Sequence, residues 1–205
     1  MKSKKSLLEQ LNILPHFTKS MIYQLGSQLG LKNSTVNTYI SRFLKHKDIL
    51  PLRRGLYISA DFFAKNKSDI SYSFYLANII RTPSYVSSWT ALQYHNLTTE
   101  TIRSTTSVTS KVTRDYETKA GTFSYQSIKK ELLSDYALVK GKFDFFVASP
   151  SKALFDLLYF RTHQFRSIKF DDVEKIVEEL RIDISEMSEE ERKSFYQKIK
   201  TYLHE

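Results

Sequence analysis

Residues 34–57 read STVNTYISRFLKHKDILPLRRGLY, and the change of period inside this stretch decides the fold expected around it. Apolar residues recur at Val36, Tyr39, Ile40, Phe43 and Leu44, the three-and-four spacing of a helix with one buried face. Beyond Asp48 the run Ile-Leu-Pro-Leu-Arg-Arg-Gly-Leu-Tyr-Ile-Ser partly alternates apolar and polar positions about Arg53-Arg54-Gly55, which predicts a short β-hairpin. Ser34 stands where a side-chain cap for the helix is expected.

Two further helical patterns precede this one. Leu7, Leu8, Leu11 and Leu14 repeat at helical spacing after Ser3 or Ser6, and Pro15 interrupts them. Thr18 is expected to cap a second helix whose buried stripe is Met21, Ile22, Leu25 and Leu29, ending near Gly30. Three short helices, a tight turn between the second and third, and a basic hairpin form the pattern of a winged helix-turn-helix over residues 1–60.

If the apolar stripe of the third helix faces a core, Thr35, Asn37, Thr38, Ser41, Arg42 and Lys45 must lie on its other face. Those residue types suit a helix entering the major groove of double-stranded DNA. Asparagine can pair bidentately with adenine, arginine with guanine, and threonine can meet the thymine methyl. Asn37 and Arg42 are the first candidates for base reading. Lys45, Lys47 and the Ser34 end of the helix suit phosphates, and Arg53 and Arg54 suit backbone or an adjacent minor groove.

Charge points the same way. Residues 1–65 hold 11 Lys and Arg against 3 Asp and Glu, a net +8, whereas residues 66–205 hold 20 against 19. The whole chain's +9 therefore belongs almost entirely to its first third. A concentrated positive field favours polyanions, because each neutralised phosphate releases condensed counterions. A solubilising basic face is the alternative.

Residues 61–69, with Lys65, Asn66, Lys67 and Ser68, read as a polar linker to a second domain over 70–205. There, Ile70–Ile80 and Ser88–His95 read as helices, and Arg103–Arg114, rich in Thr, Ser and Val, as a strand. Thr122–Ile128, Tyr136–Lys140 and Lys142–Ala148 are expected as further strands. Ser149-Pro150 then sets a cap and a first-turn proline before Ala153, Leu154, Leu157, Leu158 and Phe160. Asp171–Glu174 and Ser188–Glu191 have capping-box spacing ahead of two more amphipathic helices. The fold class expected is α+β: a winged helix-turn-helix followed by a mixed α+β domain with a helical C-terminal end.

Catalytic and metal-binding patterns are sparse. The chain has no cysteine, and its five histidines (16, 46, 95, 163 and 204) lack ligand spacing, so no metal, cofactor or disulfide is expected and a reducing, cytoplasmic setting is. No run approaches the ~18 uncharged apolar residues of a membrane span. Asp115, Glu117 and Lys119 have the order of a nuclease-type acidic and lysine metal site, but the preceding strand supplies no second carboxylate, and a solvated turn before Gly121 is the simpler reading. Ser149-Pro-Ser-Lys152 matches a Ser-x-x-Lys nucleophile motif in form only; Ser149 is better placed as a helix cap. No enzyme is expected.

Several stretches give the chain a family likeness: PSYVSSWTALQYHNL over 83–97, the threonine-rich Thr105–Thr113, ASPSKALFDLL over 148–158, and Arg54-Gly-Leu-Tyr57 ahead of them. With these the whole chain resembles the AbiEi family, the antitoxins of bacterial AbiE-type (type IV) toxin-antitoxin systems. The resemblance implies a winged helix that binds inverted repeats in its own promoter and a second domain that aids cooperative repression. It also implies neutralisation of a nucleotidyltransferase-like toxin, generally without a stable complex. An orphan regulator of the same fold and no toxin is the other reading. On physical grounds Tyr85, Trp89, Leu92 and Leu97 are expected in the core, as are Ala153, Leu154 and Leu157. Ser87, Ser88, His95, Lys152 and Asp156 are left as polar surface, with capping or ion pairing their favoured roles.

Overall fold

Pro51 lies in an edge strand, the position in a sheet where a residue without an N–H costs no ladder bond, and around it the first part of the chain folds. The computed structural model describes residues 2–166 and 168–203; His204, one of the five histidines, lies outside the described residues. It is a mixed α+β fold with, among the described residues, nine α-helices and two sheets. The chain divides into two units, residues 1–73 with 116–121, and residues 74–115 with 122–205.

In the first unit, α1 (Lys2–Leu11) leads through the short strand β1 (Phe17–Thr18) into α2 (Lys19–Gln28) and α3 (Asn33–His46). The hairpin of β2 (Ile49–Arg53) and β3 (Leu56–Ser59) follows, and β1 pairs with β3, giving the order β1-β3-β2. Thr18 caps α2 as expected, its Oγ1 accepting from the Met21 N–H at 3.3 Å. Gly30, at φ +71, and the Leu31 N–H bonded to the Gly26 carbonyl at 2.9 Å close that helix. Leu7, Leu11, Phe17, Ile22, Val36, Ile40, Phe43 and Ile49 form the unit's core. Gly26 is part of this packing: a β-carbon there would fall on the Val36 side chain, so α2 and α3 approach as closely as they do because residue 26 has none.

Two expectations fail here. Ser34 does not cap α3: the helix starts at Asn33, Lys32 takes the cap position with no side-chain bond, and Ser34 lies inside the first turn. The expected linker over 61–69 is largely a helix, α4 (Ala60–Asn66), capped by Ser59, whose Oγ accepts from the Phe62 N–H at 3.3 Å. Of the polar residues taken for a linker, Lys65, Lys67 and Ser68 are exposed, and Asn66 is buried at the helix's end. Asp61 and Lys65 pair across one turn at 2.8 Å, and Asn66 turns its Nδ2 back to the Phe62 carbonyl at 2.7 Å.

The second unit begins at Phe74, within α5 (Ile70–Ile80). The larger sheet has the order β6-β7-β5-β4-β9-β8, from β4 (Tyr85–Val86), β5 (Ser104–Thr109), β6 (Arg114–Thr118), β7 (Gly121–Ser127), β8 (Tyr136–Val139) and β9 (Phe145–Ala148). The single strand expected over 103–114 is thus β5 and the start of β6. β5 runs parallel to β7 from Ser104↔Thr122 to Thr109↔Ser127. The threonines of β5 also hold α6 (Ser88–Tyr94): the Thr106 N–H donates to Thr90 Oγ1 at 2.8 Å, and Thr106 Oγ1 donates to the Ser87 carbonyl at 2.7 Å.

The helix α7 (Pro150–Arg161) is buried on nearly every side, from Ser151 to Tyr159, which makes it the unit's central element. Ser149 caps it, accepting from the Lys152 N–H at 3.3 Å. Glu191 adds a second partner at this end, its Oε2 accepting from the Ser151 N–H at 2.8 Å. The capping box expected over Ser188–Glu191 at the head of α9 (Glu189–Leu203) is therefore half formed. Ser188 caps, and Glu191 reaches α7 instead. At the head of α8 (Asp172–Glu179), the expected cap Asp171 makes no cap bond, and Asp172 accepts from the N–H of Lys169, ahead of the helix, at 2.9 Å. No helix among the described residues is long and apolar enough to cross a membrane.

Candidate nucleic-acid interface

The outward face of α3 follows directly from its buried one. Val36, Ile40 and Phe43 enter the core, and that leaves Ser34, Asn37, Thr38, Ser41, Arg42 and Lys45 on the open side, with Thr35 beside them. Arg42, Lys45 and Lys47 make no ion pair among the described residues, and neither do Arg53 and Arg54. Lys47 closes the helix in the left-handed conformation at φ 59, a place glycine usually takes, and is exposed there.

The hydroxyls of this face are partly committed to their own helix. Thr38 Oγ1 donates to the Ser34 carbonyl and Ser41 Oγ to the Asn37 carbonyl, each at 3.1 Å. Their protons are thereby spent, and what they offer outward is an acceptor lone pair and, for Thr38, a methyl group.

Arg53 ends β2 and Arg54 opens the two-residue turn that follows it. Arg53 pairs with Leu56, so Arg54 and Gly55 alone connect the strands, and Gly55 at φ +78 supplies the conformation the turn demands. The register slips between Pro51 and Arg53, a bulge that keeps Leu52 buried while both arginines stay exposed. A chain of contacts joins this turn to α3. The Lys19 N–H donates to the Gly55 carbonyl at 3.0 Å, the Lys19 Nζ lies 5.4 Å from the Tyr23 ring centroid, and the Tyr23 hydroxyl donates to Asn37 Oδ1 at 2.6 Å.

Lys19 and Tyr23 were not among the sequence candidates. Their signal is modest but present: they stand four apart on α2, and Tyr23 is an aromatic residue outside the stripe of Met21, Ile22, Leu25 and Leu29.

The polar residues expected on the surface of the second unit are mostly not there. Ser87, Lys152 and Asp156 are each no more than 1% exposed, and Ser88 is buried too. Lys152 Nζ meets Asp156 Oδ1 at 2.6 Å, while Asp156 Oδ2 accepts from Ser87 Oγ at 2.7 Å and from the Tyr85 hydroxyl at 3.0 Å. The ion-pair role is real and its site is the core. Burial pushes the Asp156 carboxyl above the ordinary carboxylate range, against the pull of Lys152, and burial beside Asp156 pushes the Tyr85 hydroxyl up strongly. His95 Nε2 bonds the Ala148 carbonyl at 2.8 Å, tying α6 to the end of β9. Trp89, expected in the core, is half-buried; Tyr85, Leu92, Leu97, Ala153, Leu154 and Leu157 are buried.

Asp115 and Glu117 lie two apart on β6, and Asp115 accepts from Ser124 Oγ at 2.6 Å. Lys119 is in the turn that follows, and no group of three His, Cys, Asp or Glu among the described residues is arranged to hold a metal ion.

Compared with known proteins, the chain matches no protein-family model and no curated protein.

Proposed function

We propose that this protein is a DNA-binding transcriptional regulator whose first unit is a winged helix-turn-helix, with α3 as the recognition helix and the β2–β3 turn as a short wing. One observation carries the reading. α3 presents a continuous face of hydrogen-bonding and cationic side chains, none of the cations ion-paired among the described residues, and that face is linked through Tyr23 and Lys19 to the turn bearing Arg53 and Arg54. The element order helix, strand, helix, helix, strand, strand, with β1 added to the hairpin, is the order such a module requires. The +8 of residues 1–65 supplies the attraction to phosphate that base reading alone does not.

On this reading Asn37 and Arg42 read base edges, Thr35, Thr38 and Ser41 line the groove, and Lys45, Arg53, Arg54 and the Ser34 end of α3 meet phosphate or the neighbouring minor groove. The resemblance to AbiEi antitoxins sharpens the proposal. It makes the protein an autoregulating cytoplasmic repressor that binds inverted repeats, self-associates on them and neutralises a nucleotidyltransferase-like toxin.

Binding of the full chain to duplex DNA from its own promoter, followed by fluorescence anisotropy at several salt concentrations, tests the first part. Asn37→Ala or Arg42→Ala is expected to weaken specific binding by about 1–3 kcal/mol, and Lys45→Ala to weaken all duplexes alike. A chain substituted at Asn37, Arg42 and Arg54 together that binds as tightly as the natural one would sink the assignment. Growth rescue when the chain is co-expressed with the product of an adjacent nucleotidyltransferase gene tests the antitoxin role.

A further inference from the structure

Of the two candidate base readers, Asn37 is held by another side chain. Its Oδ1 accepts the Tyr23 hydroxyl proton at 2.6 Å, across fourteen residues of sequence. Tyr23 is half-buried on α2, with the ammonium of Lys19 5.4 Å from its ring centroid, and the Lys19 backbone is pinned to Gly55. The phenol thus has its hydroxyl on Asn37 and its ring beside the Lys19 ammonium.

An asparagine amide has one oxygen that accepts and one NH2 that donates. Free to turn, it pairs bidentately with adenine, giving an N–H to N7 and taking one from N6. With its oxygen turned to α2 and bonded by Tyr23, what it turns outward is the NH2. Guanine presents two acceptors in the major groove, N7 and O6, and adenine presents one acceptor beside a donor.

We infer that Tyr23 is a specificity-positioning residue: by engaging the Asn37 oxygen it makes Asn37 a donor toward DNA and turns its preference from adenine to guanine. This rests on the reading of α3 as the helix that enters the major groove.

The test is selection from a randomised duplex library with the full natural chain, Asn37→Ala and Tyr23→Phe. The phenylalanine variant keeps the ring and its contact with Lys19 and removes only the hydroxyl. The natural chain is expected to select guanine at a position that Asn37→Ala relaxes. Tyr23→Phe is expected to lower that guanine preference by roughly tenfold, with adenine gaining, while the other positions of the site stay as they were. Three results overturn the inference: selection of adenine at that position by the natural chain, the same base selected by Tyr23→Phe, or an equal loss of affinity for every sequence in Tyr23→Phe. A natural chain that enriches no sequence overturns the recognition-helix reading itself and the inference with it. That result is distinct from the other three, in all of which the natural chain still enriches a site.

Discussion

The side chain of Val36 fills the space in which a β-carbon on Gly26 would stand. Val36 is fully buried and stiff at χ1, so it has little room to give way. Gly26→Ala gains about 0.5–1 kcal/mol of helix propensity and meets an overpacking cost of about 1–3 kcal/mol, so a net loss is expected. Urea unfolding of Gly26→Ala, Val36→Ala and the double variant checks this. The double variant should be less destabilised than the sum of the two single ones, because the smaller residue at 36 makes room for the new methyl.

Lys47 in its left-handed conformation invites the opposite experiment. That backbone region costs a residue with a β-carbon about 1–2 kcal/mol, and glycine's greater freedom in the unfolded chain offsets about 0.5–1 of the gain from replacing it. Lys47→Gly is expected to stabilise the protein by about 0.5–1 kcal/mol. If Lys47 meets a phosphate, the same variant binds DNA more weakly and its log affinity falls about 0.9 less steeply with log salt. Thermal unfolding and anisotropy titrations on one preparation measure both. Stability and affinity moving in opposite directions is the expected signature.

His16 gives a pH dependence with a definite sign. Its burial holds the imidazole below its ordinary 6.5. The unfolded chain therefore binds a proton at a pH where the folded one does not, and stability rises with pH across that window. The contribution is present above 6.5 and is lost as pH falls through the lowered folded value. Urea midpoints of the natural chain should drop between about pH 7.5 and pH 5.5, and by less in His16→Gln. Equal drops in the two would remove His16 as the cause.

The Lys152–Asp156 pair is a test of what a buried charge costs when left alone. Removing one member of such a pair typically costs about 3–5 kcal/mol, whereas neutralising both costs much less. Lys152→Met is expected to fall in that range, and Lys152→Met with Asp156→Asn to recover most of it, since the new amide oxygen can still accept from Tyr85 and Ser87. The Asp156 carboxyl, already raised by burial, becomes easier still to protonate without Lys152. A carboxyl raised in the folded state favours folding most when protonated, so the single variant should be less destabilised at about pH 5 than at about pH 8. Denaturant midpoints at the two values decide it.

What the sequence revealed about this fold depended on the range of the interaction. Caps made by neighbours three residues on, at Thr18 and Ser149, and the outward face of α3 were legible because one helix determines them. Whether Lys152 and Asp156 faced water was not, since the same i, i+4 pair suits an exposed helix equally well. Only the burial of α7 on all sides puts the pair inside. Asp171 and Glu174 had the spacing of a capping box, yet Asp171 makes no cap bond. Residues 61–69 passed for a linker on Lys65, Asn66, Lys67 and Ser68, and the helix at 60–66 is closed by Ser59 at one end and by Asn66 bonding the Phe62 carbonyl at the other. The hold of Tyr23 on Asn37 joins two helices, so no local pattern announces it.

The small sheet of the first unit offers little to a stray strand. One margin, β1, is two residues long, and the other, β2, combines a proline with a bulge. Open margins of that kind are where proteins at high local concentration begin to stack edge to edge into aggregates. Copies crowded together can therefore lie side by side without joining through this sheet.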